Sequence, residues 1–232
     1  MPNILTITCA LLGSLFMTTM TQATVAIDDT PWPAEQNTTL ARSLAAPLGG
    51  KIPIFIHAFI HDDVTQPQSE IFAEHFLPMV KELEGVTGRR VSVQFIRNQP
   101  TYTDFAYMNE DELVTMKKWR DRTHDYKVEK NLPSTRTTKF ILLTKSALND
   151  RVAGLAGTGQ QAAIASLKSA ANVGHEIGHT LDALHENSEV FYRGGWWCES
   201  YMIPNPKLLV GNCHTFTEAN RARISNFLSN VP

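Results

Sequence analysis

Residues Gly174 to Glu186 read GHEIGHTLDALHE, and the placing of three histidines in this run restricts the local backbone more than any other feature of the chain. His175 and His179 lie four apart, so on a helix they leave the same face about one turn apart. That separation suits two imidazoles sharing one ion. His185 comes six residues later, and for its ring to return to the same ion the chain must bend between them. Asp182 stands in that interval, and Asp tolerates the left-handed backbone of a sharp bend better than most residues. Three neutral ring nitrogens leave a fourth tetrahedral position open, the arrangement of a catalytic rather than a closed zinc site. Glu176 follows the first histidine, where its carboxylate reaches a water in that position.

The pattern His175, Glu176, His179, His185, followed by Met202 in the segment CESYMIP, resembles the metzincin clan of zinc endopeptidases. The resemblance implies an α/β (α+β) fold with a twisted mixed sheet, an active-site helix and a small irregular C-terminal subdomain. It implies one catalytic Zn2+ held by His175, His179 and His185, with Glu176 as general base and Met202 as a packing floor beneath the ion. The substrate class so implied is a protein or peptide. The segment VAGLAGTG resembles the clan's edge strand on the rim of the cleft, where Gly154, Leu155, Ala156 and Gly157 offer backbone groups to an extended peptide. Two departures stand out. Asp182 replaces the family glycine, and as an alternative its carboxylate is a competing ligand. Glu186 is similar to astacins, whereas Met202, Ile203 and Pro204 are closer to adamalysins. Tyr201 precedes Met202 and is not assigned as a ligand. Two rival readings are a zinc-fold binding or toxin module without turnover and a zinc hydrolase of a non-peptide bond.

Ile4 to about Met20 contains no charged side chain and is followed by small and polar residues, which reads as a secretory signal peptide over residues 1–26. Cleavage after Ala23 is the alternative, and an uncleaved anchor remains open because the n-region has no Lys or Arg. Residues 27–50 form a polar, proline-bearing lead-in, and residues 51–232 form the catalytic domain. The protein is expected to be secreted, with no stable membrane span after cleavage, and monomeric. Beyond Cys9 in the leader, the remaining cysteines, Cys198 and Cys213, are expected to form a disulfide. With 21 Lys+Arg against 23 Asp+Glu, the chain has no basic surplus of the kind nucleic-acid binders carry. Apolar residues make up 43%, enough to bury a core, which excludes a disordered chain. Asn37 opens a glycosylation sequon, meaningful only in a eukaryotic source.

Along the catalytic domain, strands are expected over Lys51–Ile60, Arg90–Arg97 and Thr137–Thr144, with helices over Ser69–Leu83, kinked at Pro78, and Glu110–Glu129. This alternation is that of a sheet built from crossover units. Val152–Gly159 reads as an edge strand and Gln161–Leu167 as another strand. The histidine helix starts from Lys168, and Asn187–Gly211 reads as irregular. A last helix, Thr217–Leu228, follows a capping box with Thr215 and Glu218. His57 and His61 are assigned to core or loop and His214 to a loop. Trp196 and Trp197 are assigned to packing around the disulfide loop, with a wall of the substrate pocket as the alternative.

Overall fold

A computed structural model describes residues 50–207 and 209–232. The expected leader, Cys9, Asn37 and all of the lead-in but Gly50 lie outside the described residues. Strands β1 (Ile54–Ile60), β2 (Val91–Ile96), β3 (Thr138–Thr144), β4 (Gly154–Ala156) and β5 (Ala162–Ser166) form one sheet in the order β2-β1-β3-β5-β4. The first four in that order run parallel, and β4 is antiparallel to β5 at the edge.

Period-two alternation sends side chains to two apolar layers. Ile54, Ile56, Ala58, Ile60, Ile141 and Leu143 join one core, with Val173 and Ile177. Phe59, Phe140, Leu142 and Ile164 join the other, with Trp119 and Tyr126. Both faces of the sheet are therefore covered, as a largely parallel sheet requires.

Helix α1 begins as Gln68–Ile71, widens into a π-turn over Phe72–Phe76 and resumes as Leu77–Thr87. The expected irregularity at Pro78 is thus a π-turn just ahead of the residue that has no N–H to give. Helix α2 (Glu112–Glu129) starts at Asp111, whose carboxylate accepts from the N–H groups of Leu113 and Val114. Its buried face runs through Thr115, Met116, Trp119, Thr123 and Tyr126, while Leu113 is 70% exposed. Helix α3 (Ala170–Thr180) carries the histidines and packs on β5, β4 and the π-turn. Helix α4 (Glu218–Leu228) ends the chain.

Three expectations are corrected. Within Asn187–Gly211 the chain forms a hairpin, β6 (Val190–Arg193) and β7 (Trp196–Glu199), and β8 (Gly211–Asn212) pairs with β7. Gly194 and Gly195, both at positive φ, supply the two-residue turn in the type I′ combination, whose twist matches that of the strands. Trp196 and Trp197 are 78% and 61% exposed on that hairpin rather than buried against the disulfide loop, and among the described residues Trp197 meets one aromatic neighbour, Tyr192. The N-cap of α4 is Thr217, whose hydroxyl accepts from the Asn220 N–H, because Thr215 is drawn away to Glu82. Cys198 and Cys213 are disulfide-bonded with Cα atoms 5.2 Å apart.

Candidate metal centre

Ser169 caps the start of α3, accepting from the Ala171 N–H. Val173 and Ile177 anchor the helix in the core, which turns His175 and His179 toward the cleft. The helix stops at Thr180. Asp182 then takes φ +76°, and the Ala183 N–H closes back on the Gly178 carbonyl at 2.9 Å. This is the left-handed ending that usually calls for glycine. Asp182 is held there by Arg223, which donates to its carbonyl and to its carboxylate at 2.8 and 2.7 Å. The carboxylate is thereby engaged outside the histidine group, so the competing-ligand alternative finds no support. The bend brings back His185, in a short 3-10 turn over His185–Asn187.

The three Nε2 atoms stand 3.2 Å (His175 to His179), 2.9 Å (His179 to His185) and 3.0 Å (His185 to His175) apart. Their tautomers follow from the far side of two rings. His175 Nδ1 meets the Tyr201 carbonyl at 2.7 Å and His179 Nδ1 meets the Ala183 carbonyl at 3.1 Å. A carbonyl only accepts, so both Nδ1 atoms carry the proton and both Nε2 atoms point bare lone pairs at one spot. Burial first, and then the neighbouring His179, push His175 down to about 3, while burial also holds His179 below its ordinary value. Converging lone pairs on neutral rings are mutually repulsive until a cation lies between them, so this donor set fits a zinc ion. Among the described residues it is the one group of His, Cys, Asp or Glu close enough to hold a metal.

Glu176 is buried beside this cluster, and its Oε2 has no hydrogen-bond partner among the described residues. Burial pushes its carboxyl up to about 8; a cation alongside opposes that shift. The cleft holding these groups, about 290 Å³, is lined by Gly154, Leu155, Ala156 and Thr158 on one side and by Leu184 and Glu186 on the other. A larger cleft of about 460 Å³ at Met108–Glu110, Ser146–Asp150 and Lys168 contains none of the cluster. β4 supplies the rim, paired with β5 along one edge. Gly157 falls past the strand end, its carbonyl accepting the Gln160 N–H at 3.0 Å.

Met202 is fully buried below α3, and a methyl group on Gly178 would stand 2.7 Å from its Sδ. His57 is buried on the opposite side of the sheet, stacked on Phe140, and pushed down to about 4 by burial. His61 bonds the Phe105 carbonyl, and His214 lies against the Tyr201 hydroxyl; none of these three joins the cluster. The carbonyls of Tyr201 and Ala183 and the Arg223 clamp carry no sequence signal, since backbone groups have no identity and Arg223 lies 41 residues from Asp182.

No known sequence family matches this chain, and no curated protein does. Its fold is similar to that of metalloproteinase-II from Bacteroides fragilis, with 15% sequence identity and a TM-score of 0.53 over 78% of this chain and 55% of the other. The chain thus spans about half the length of that protein. A zinc-dependent peptidase from Methanocorpusculum labreanum (strain Z) aligns at 18% identity with a TM-score of 0.45, over 73% of this chain and 99% of that one. The architecture is an α+β fold with a mixed sheet, similar to that of the Bacteroides fragilis metalloproteinase.

Proposed function

We propose that this protein is a secreted, zinc-dependent endopeptidase of metzincin type, acting on protein or peptide substrates with one catalytic ion. The observation that carries the proposal is the convergence of three Nε2 atoms, two of them fixed as bare acceptors, beside an unpartnered buried carboxylate at the edge of a sheet. His175, His179 and His185 would hold the ion. Bound zinc supplies a Lewis acid that makes water acidic near neutrality and polarises a carbonyl. Glu176 takes the proton from the attacking water and passes it to the leaving amine. The backbone of Gly154–Ala156 pairs with the extended peptide, which holds the scissile bond across the cleft. Met202 is the apolar floor of the site, matching the methionine turn of that clan. The leader-like start of the sequence and the Cys198–Cys213 pair favour an oxidising destination.

The zinc-loaded protein should cleave an unfolded polypeptide, lose the activity to a chelator and regain it with zinc. Glu176→Gln should keep one zinc per chain and lose roughly 100- to 10,000-fold in kcat. Undiminished proteolysis by the zinc-loaded variant would exclude Glu176 as the base. A natural-sequence protein that binds zinc and cleaves no peptide would exclude the peptidase reading.

A further inference from the structure

Gly154 opens β4, and its φ is not among the positive values, so the backbone there does not itself call for glycine. What calls for it is Glu176. A methyl group built on Gly154 would stand 2.5 Å from Oε1, 2.9 Å from Cδ and 2.9 Å from Cγ of Glu176, and these are the three nearest atoms. Carbon and oxygen atoms in packed interiors do not approach so closely without displacement. Two residues along the same strand face, Ala156 carries its methyl group against the core without difficulty.

The carboxyl has little room to retreat. Glu176 is 5% exposed, and its helix is pinned by the Ser169 cap, by Ile177 in the core and by the bend at Asp182. Among the described residues no hydrogen bond holds Oε2, which leaves packing to bear on where the carboxyl stands.

We infer that Gly154 is a positioning residue: the missing side chain at the head of the edge strand leaves the space that sets where the Glu176 carboxyl stands. The inference rests on the proposed role of Glu176. It assigns two jobs to one stretch of chain, because the strand that pairs with a peptide also gauges the position of the base. A larger side chain at 154 would displace the carboxyl from the attacking water while leaving the histidines and the pairing edge in place. Misplacing a catalytic group by about 1 Å is enough to cost roughly 100-fold in rate.

A metal-free measurement separates this from a plain strand effect. Thermal unfolding in chelator is compared for the natural sequence, Gly154→Ala, Glu176→Ala and the double variant. Gly154→Ala should lower Tm by roughly 4–8 °C when Glu176 is present and by less than about 1 °C when residue 176 is alanine. Equal losses in both backgrounds overturn the inference. If Gly154→Ala fails to fold, a folded double variant supports it and an unfolded one overturns it. In the zinc-loaded proteins, Gly154→Ala should lower kcat roughly 100-fold with zinc content unchanged and KM within about threefold. Unchanged kcat overturns the inference while leaving the peptidase reading intact. If the natural sequence does not cleave, the peptidase reading fails, whereas the unfolding comparison still reports on the contact.

Discussion

Lys139 stands fully buried in β3, donating from Nζ to the carbonyls of Thr180 at 2.6 Å and Gln160 at 3.3 Å and lying over the Phe227 ring. Thr180 is the last residue of α3, so this lysine ties the end of the histidine helix to the central sheet. No carboxylate pairs with it among the described residues. Burial, with a smaller contribution from Arg136, pushes it down to about 7. Its pH signature follows from linkage. Between about pH 7 and its ordinary value of 10.5 the unfolded chain binds a proton that the folded chain does not, so folding stability rises with pH across that window. The slope reaches up to about 1.4 kcal/mol per pH unit for one proton. The urea midpoint of the natural sequence should therefore climb from pH 7 to 10 relative to that of Lys139→Met. Parallel curves for the two proteins would show that the buried amine does not titrate in this way. At the same scale Asp182 takes a left-handed conformation usually left to glycine, kept there by an ion pair with Arg223 rather than by the absence of a side chain.

The histidine helix and the turn below it fit together through two glycines four residues apart. A methyl group at Gly174 would collide with the Tyr201 ring, and one at Gly178 would meet Met202 and Phe216, each at 2.7 Å. The close approach lets the Tyr201 carbonyl reach His175. Gly174→Ala should thus push Tyr201 away and weaken zinc binding roughly 10- to 100-fold, the usual cost of losing a group that orients a metal-binding imidazole. Competition with a chromophoric chelator measures it; unaltered affinity would separate the tyrosine from the metal site. Most elements could be read from the sequence because apolar alternation and helical spacing are local. The hairpin over Val190–Glu199 also had a local signal, the Gly194–Gly195 pair between two aromatic runs, but Pro204 and Pro206 made the whole segment read as irregular. The burial of Thr115 and Thr123 on α2, with Leu113 outside, had none, since only the sheet beneath decides which face is covered.

Across the whole molecule, the site joins parts that are far apart in the chain. The histidines come from α3 and the turn after it, the carbonyl that holds His175 from below the helix, the cleft rim from β4, and the Asp182 clamp from α4. An ion bound at that junction favours the folded state over a chain in which these groups are dispersed. Zinc at a thousandfold excess over its Kd should add about 4 kcal/mol and raise Tm by roughly 10 °C. His185→Ala should abolish most of that rise, and calorimetry with and without chelator reads both. A zinc-induced rise that survives in His185→Ala would place the ion elsewhere.

The convergence of His175, His179 and His185 was legible in the sequence, because an i, i+4 pair on one helix face followed by a residue that tolerates a sharp bend is a short-range pattern. The order of strands and helices up to α3 was legible in the same way, whereas β6, β7 and β8 were not. Which nitrogen of His175 and of His179 faces the cluster, what holds the left-handed bend at Asp182, what residue 154 faces and where the two tryptophans lie were decided only by tertiary structure. Each depends on a contact between segments at least four residues and up to about forty apart, or on exposure to solvent, and folding creates those relations through packing rather than through periodicity.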